Sequence, residues 1–203
     1  MKIYDYGMAP NPRRVRIFLH EKGIEAPYEQ IDIIKREGRQ PDFLEKNPLG
    51  GIPVLELDDG TCISESVSIC RYFEAEHPDP PLFGATPREI AETDMWLRRL
   101  ELYLMNPAGL TWIHGNDLTA HLLEQKPDVA EFGRVRTYYF YDILNDALAD
   151  REWLAGNRYS VVECVALPTL DFVTGLVGLP YKDEHTHIKA WHDRMAARDS
   201  AKA

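Results

Sequence analysis

Two short runs hold residue types that could do chemistry together. The first is Ile52-Pro53, a proline set directly before the apolar run Val54-Leu55-Glu56-Leu57. X-Pro bonds lose most of the trans preference, so a proline here is a rigid and sometimes cis element. It turns the preceding backbone N–H and C=O outward, free to pair with an extended ligand. The second run is Ser64-Glu65-Ser66, at the start of a helical pattern with Ile69, Cys70 and Phe73 on one face. A helix start offers unpaired N–H groups, and with the Ser66 hydroxyl they make a site for a carboxylate. One backbone clamp and one anion site suit a small peptide. Taken alone, Ser66 also fits an ordinary helix cap.

These runs need a scaffold, and the surrounding sequence specifies one. Asp59-Gly60 supplies a hairpin turn between Val54–Leu57 and the returning strand Thr61-Cys62-Ile63. Upstream, Met1 to Gly7 is a strand. Asn11 is suited to cap a helix and Pro12 to be its first residue; Val15, Phe18 and Leu19 share its inner face and Gly23 closes it. Tyr28 to Ile34 is expected as a second strand, Lys35 to Gln40 as a charged loop and Pro41 to Lys46 as a helical turn. The order β-α-β-α-β-β-α is the thioredoxin-like arrangement.

His77 to Gly84 is a proline-rich linker, and the chain beyond it reads as almost wholly helical. A long helix is expected over Pro87 to Met105, interrupted or kinked at Pro107-Ala108-Gly109. Another runs from Pro127 through Tyr138-Tyr139-Phe140-Tyr141, an aromatic cluster of core and cleft wall, to Leu148. Ser160-x-x-Glu163 is a capping box with a structural role, and the last helix spans His187 to Ala197. The expected domains are residues 1–80 (α/β) and 88–203 (all-α), joined by the linker 81–87.

Composition excludes several classes. The 203 residues carry a net charge of −10 with no basic tail or stripe, which argues against nucleic acid and anionic membranes as partners. No apolar run approaches a membrane span, and the N-terminus is no signal peptide. Cys62, Cys70 and Cys164 are widely spaced without a CxxC, as in a reduced, cytoplasmic protein. His185, His187 and His192 have no Cys or Glu spacing to support a metal, and surface histidines are expected instead.

The run NPLG-x-IPVLE-x-DDG-x-x-x-x-ESVSICRYFE strongly resembles the glutathione-binding half of the glutathione transferase family, and PNPRRVRIFLHEKGI resembles that family's first helix. The resemblance extends over nearly the whole chain. It implies the glutathione transferase fold, with glutathione as co-substrate and no metal. By position, Ile52 and Pro53 would pair through the backbone with the cysteinyl part of glutathione, and Glu65 and Ser66 would bind its γ-glutamyl end. It further implies a two-fold homodimer, with the helices near Ser66–Phe73 and Arg88–Met105 lining the axis.

The sequence departs from the family where the chemistry is done. Transfer requires a thiolate, and a free thiol has a pKa near ~8.5, so the site must stabilise negative sulfur. Most members place a Tyr, Ser or Cys just after the first strand; here Ala9, Pro10 and Asn11 stand there. Asn11 is expected to donate its amide N–H to sulfur or simply to cap the helix; Tyr4 and Tyr6 are poorer candidates. Gly51 replaces a Gln or Lys that many relatives use for the glycyl carboxylate, so either Arg39 and Gln40 replace it or Arg39 is a solvated loop charge. His114, after the Pro107–Gly109 interruption, is suited to take the thiol proton through one water, or else to bond backbone at a helix end. The function implied is conjugation of glutathione to small apolar electrophiles. The alternatives are a glutathione-dependent disulfide or peroxide reductase and a non-catalytic glutathione-binding module.

Overall fold

A computed structural model describes all 203 residues. The chain divides into two compact units, residues 1–83 with 199–203, and residues 84–198.

The first unit is built on a four-stranded sheet of β1 (Lys2–Asp5), β2 (Tyr28–Gln30), β3 (Val54–Glu56) and β4 (Cys62–Ser64), in the order β2-β1-β3-β4. β1 and β2 run parallel across the crossover helix α1 (Pro10–Lys22); β1–β3 and β3–β4 are antiparallel. Helix α2 (Pro41–Leu44) precedes β3, and α3 (Ser66–Glu76) follows β4 and packs on α1. Val15, Phe18 and Leu19 of α1 and Ile69, Cys70 and Phe73 of α3 are buried, as their helical spacing predicts. Tyr4, Phe43 and Val54 form a separate core cluster, with Tyr4 edge-on to Phe43 at 5.5 Å.

Two boundaries differ from expectation. The second strand stops at Gln30 rather than Ile34, because the Asp32 carboxylate accepts the N–H groups of Ile34 and Lys35 at 3.0 Å each and folds the chain into a turn. Helix α1 starts at Pro10, with Ala9 as its cap, so Asn11 is the second helical residue and not the cap. Pro10 has the fixed φ and missing N–H that suit a first helical position, and it precedes Pro12 in offering them.

The second unit comprises α4 (Pro87–Arg99), α5 (Asn106–Gly115), α6 (Pro127–Ala147), α7 (Val161–Gly175) and α8 (Thr186–Ala196). Thr86 and Glu89 form a capping box that starts α4. Pro107 does not break the rod. A π-helical segment over Leu100–Met105 carries α4 into α5, with Asn106 N–H reaching back to Glu101 C=O. The wider π turn lies just ahead of Pro107, whose ring would otherwise press on the carbonyl four residues back. Helices α5 and α6 meet at Gly133, where an added Cβ would lie 2.4 Å from the Pro107 carbonyl oxygen. Most of α7 is buried and its N-terminus carries the expected Ser160–Glu163 box.

His185 is not a surface histidine. It is 3% exposed, its Nδ1 accepts the Lys182 N–H at 3.1 Å and its Nε2 lies 2.9 Å from Asp142. No group of three or more His, Cys, Asp or Glu could hold a metal ion, and no helix is long and apolar enough to cross a membrane. The final turn, Asp199–Lys202, belongs with the first unit: Arg13 donates to the Ala201 carbonyl at 2.9 Å and Ser200 to Glu21 at 2.5 Å, both residues of α1.

Candidate functional site

The register of the sheet brings the expected ligand groups together. Tyr4 pairs with Val54 and Val54 with Ser64. The chain therefore enters β3 from Ile52-Pro53 at the same sheet end where β4 leaves into Glu65-Ser66 and β1 leaves towards Asn11. The Ile52–Pro53 peptide is cis. The ladder begins at Val54, so the backbone groups of Ile52 stand outside it.

Asn47 shapes this loop from within. Its side chain is buried; Nδ2 donates to the Gly51 carbonyl at 2.8 Å, while Oδ1 accepts the Leu49 N–H at 3.1 Å. Gly50 turns at φ +63, a conformation that L side chains rarely adopt. A second loop is clasped to this one: a Cβ on Gly38 would lie 2.6 Å from the Gly50 carbonyl oxygen, and a Cβ on Gly50 equally 2.6 Å from that of Gly38. The clasp sets exposed Arg39 over the loop, where its guanidinium donates to the Leu49 carbonyl at 3.0 Å. Gln40 is also exposed and caps α2 through its backbone only. Gly51 has room beside it: an added Cβ would meet only Asn47 Nδ2, at 3.6 Å.

Glu65 is an exposed non-glycine residue at φ +70, ψ 117, and makes no side-chain cap. Such a backbone costs ~1–3 kcal/mol and persists where the surroundings impose it, often at ligand sites. The first turn bond of α3 runs from Ile69 N–H to Glu65 C=O at 3.0 Å, leaving the N–H groups before it as helix-end donors. Ser66 is 6% exposed, and its Oγ lies 3.4 Å from Nη1 of Arg14, itself 4% exposed on α1. One turn further along α3, burial pushes the Cys70 thiol well up, which removes it as a nucleophile.

Asn11 sits in the first turn of α1, with Oδ1 buried and unpartnered. The other amide atom, Nδ2, is not buried in this way. The turn before it is braced by Arg16, which donates to both oxygens of buried Asp5 at 2.7 Å and to the Gly7 carbonyl at 2.9 Å. Tyr4 is buried with its hydroxyl on Glu56 at 2.5 Å.

His114 lies in the last turn of α5, in the second unit. Its Nδ1 accepts the N–H of Lys126, the residue before α6, at 3.3 Å. That bond is a backbone contact at a helix end, the other role open to this histidine.

Sequence reasoning passed over Arg14 and Gly38. The i, i+3 spacing of Asn11 and Arg14 was a signal, because it sets them on one face of α1. Gly38 had none short of the fold, since its neighbour is twelve residues away.

Comparison with known proteins identifies the family. Residues 9–76 match the glutathione S-transferase N-terminal domain and residues 97–199 the glutathione S-transferase C-terminal domain. The chain is 34% identical to glutathione S-transferase 2 of Saccharomyces cerevisiae, over 100% of this chain and 88% of that one. Among solved structures, it resembles a glutathione S-transferase domain-containing protein of Marinobacter aquaeolei VT8 with TM-score 0.91 and 37% identity, over 98% of this chain and 99% of that one. It resembles Gtt2 of S. cerevisiae with TM-score 0.93 and 33% identity, over 100% and 99%. Matched along its full length in sequence and in fold, the chain belongs to the glutathione S-transferase family.

Proposed function

We propose that this chain is a glutathione transferase that binds glutathione along the sheet end formed by β1, β3 and β4, and joins its thiolate to small apolar electrophiles. The observation that carries the reading is the register that sets Ile52-Pro53 beside Glu65-Ser66 and β1's exit to Asn11. Ile52 offers backbone to the cysteinyl part, the α3 N-terminus with Ser66 takes the γ-glutamyl carboxylate, and Arg39, with Gln40 beside it, takes the glycyl carboxylate. Asn11 donates to the thiolate.

Ser66→Ala tests the binding half. It should weaken glutathione binding by ~1–3 kcal/mol, the cost of one charge-assisted bond. Unchanged affinity by calorimetry in a folded variant would remove the assignment. Activity is read from one panel: glutathione with a chloronitrobenzene, a mixed disulfide and an organic hydroperoxide. Turnover of the chloronitrobenzene supports transfer. Turnover of the others alone supports a reductase, and tight binding with no turnover a binding module.

A cytoplasmic homodimer is part of the same proposal. Phe132, Val135, Tyr139 and Ile143 form an exposed stripe along α6, and Ile90, Met95, Leu102 and Tyr103 are exposed along the α4 rod. Apolar patches of this kind mark interaction surfaces. A sedimentation mass near that of one chain at micromolar concentration would contradict the dimer.

A further inference from the structure

Gly7, in the turn from β1 into α1, is held at both its N–H and its C=O by side chains from other elements. Ala9 N–H closes the turn onto the Tyr6 carbonyl at 2.9 Å, so Gly7 and Met8 are its two central residues. Gly7 N–H donates to Gln30 Oε1 at 3.2 Å, and the Gly7 carbonyl accepts Arg16 Nη2 at 2.9 Å. Gln30 and Arg16 meet again on Asp5. Gln30 Nε2 donates to Oδ2 at 3.3 Å, and Arg16 Nη1 lies 2.7 Å from both carboxylate oxygens. The hydrogen bonds close a ring through Gly7, Gln30, Asp5 and Arg16.

An exposed turn has no need of such a ring. Gly7 and Met8 face solvent, where water satisfies the same backbone groups. Asp5, however, is 3% exposed, and a buried carboxylate is costly unless it is well paired. The Arg16 side chain is 14% exposed and its charge is met by Asp5, so the pair adds no net charge beside the turn. Arg16 stands five residues after Asn11, about 140° around α1 at 3.6 residues per turn, and so does not share its face. The effect of the ring is therefore geometric. It ties α1, β1 and β2 to one turn, and Asn11 follows that turn directly after Pro10. Hydrogen bonds weaken steeply with poor distance and angle, and a misplacement of about 1 Å can cost ~10²-fold in rate.

We infer that Asp5, Arg16 and Gln30 are positioning residues for thiol activation: through the Gly7 turn they fix where α1 begins, and so where the Asn11 amide meets the glutathione sulfur. This rests on the role proposed above for Asn11.

The test titrates the thiol of bound glutathione by its thiolate absorbance in the ultraviolet, a readout that needs no turnover. Glutathione Kd is measured beside it by calorimetry at acidic pH, where the thiol is protonated. The variants are Arg16→Lys, Gln30→Met, Asn11→Ala and the pairs with Asn11→Ala. Arg16→Lys keeps the charge, but a single ammonium cannot span Asp5 and Gly7 together as the planar guanidinium does. Gln30 is exposed on β2, so Gln30→Met should leave the fold intact. Arg16→Lys should raise the thiol's titration midpoint by about half to one pH unit, as expected when a bond to the charged form is weakened. Kd should change less than about threefold, and Gln30→Met should act in the same direction to a smaller degree. In the Asn11→Ala background both effects should vanish, because they act through that amide. Folded Arg16→Lys and Gln30→Met proteins that titrate as wild type overturn the inference. So does a shift that persists in full beside Asn11→Ala, or a loss confined to Kd. Where Arg16→Lys does not fold, Gln30→Met and its pair decide alone. Asn11→Ala separates the two levels. If it titrates as wild type, the reading of Asn11 fails and the inference with it; if it shifts the midpoint while the Arg16 and Gln30 variants do not, only the inference fails.

Discussion

Gly38 and Gly50 touch backbone to backbone: a Cβ on either would stand 2.6 Å from the other's carbonyl oxygen. This contact joins the loop that carries Arg39 to the loop that carries Ile52-Pro53. Gly38→Ala must push the loops apart, because the obstacle is backbone and cannot rotate away. Overpacking of this kind costs ~1–3 kcal/mol. Glutathione affinity should fall at least as much as stability does if both loops bear the ligand groups proposed above. Calorimetric Kd and melting temperature measured side by side check this; a destabilised variant with wild-type affinity would separate the clasp from the site.

The proposed glycyl subsite can be tested by substitution. Gly51 has space for a side chain, and Arg39 is exposed with its guanidinium on the Leu49 carbonyl. Arg39→Ala should weaken glutathione binding modestly, by ~0.5–1 kcal/mol, as expected for a solvent-screened ion contact. Gly51→Gln should recover part of that loss in the Arg39→Ala background. Equal losses for glutathione and for its glycyl amide would show that Arg39 does not hold the carboxylate.

Asn11 and His114 are distinguished by kinetics. Removing a preorganised donor to a developing anion costs ~10²-fold in favourable cases, so Asn11→Ala should lower kcat and move the pH–rate profile upward. His114 has its Nδ1 occupied by the Lys126 N–H at 3.3 Å, so His114→Ala should leave the profile in place and cost stability at the start of α6. The reverse pattern across pH 6 to 9, with His114→Ala shifting the profile, would assign it the base role that its sequence position suggested.

Glu163 gives the fold a pH dependence of known sign. Burial pushes its carboxyl up from the ordinary 4.5 to about 7, against the lowering effect of the Leu154 and Ser160 donors. A carboxyl raised in the folded state binds its proton more tightly there than in the unfolded chain. Its stabilisation is complete below about 4.5 and is lost as pH rises to about 7. The difference is on the order of 3 kcal/mol at ~1.4 kcal/mol per unit. Carboxylates with lowered values, such as Asp32 and Asp59, act the other way and only at lower pH. Melting temperature should therefore fall between pH 4.5 and 7 in wild type and be flatter in Glu163→Gln. A slope unchanged by that substitution would place its origin elsewhere.

The sequence by itself determined what depends on near neighbours. The Asp59-Gly60 hairpin, the Ser160–Glu163 box, the Gly23 stop of α1 and the apolar faces of α1 and α3 each rest on residues a few positions apart, so their chemistry is written locally. The run Asn47 to Phe73 was legible for the same reason: it contains its own strand, turn, strand and helix.

Only the tertiary structure decided where distant segments meet. It ended β2 at Gln30 and began α1 at Pro10, which released Asn11 from capping. It passed Pro107 through a π turn instead of a break, and it buried His185 against α6. It set Arg14 behind Ser66, Gly38 against Gly50 and the last turn on α1. Each outcome depends on a partner brought near by folding, and a charge or a glycine in a linear sequence carries no mark of what will face it.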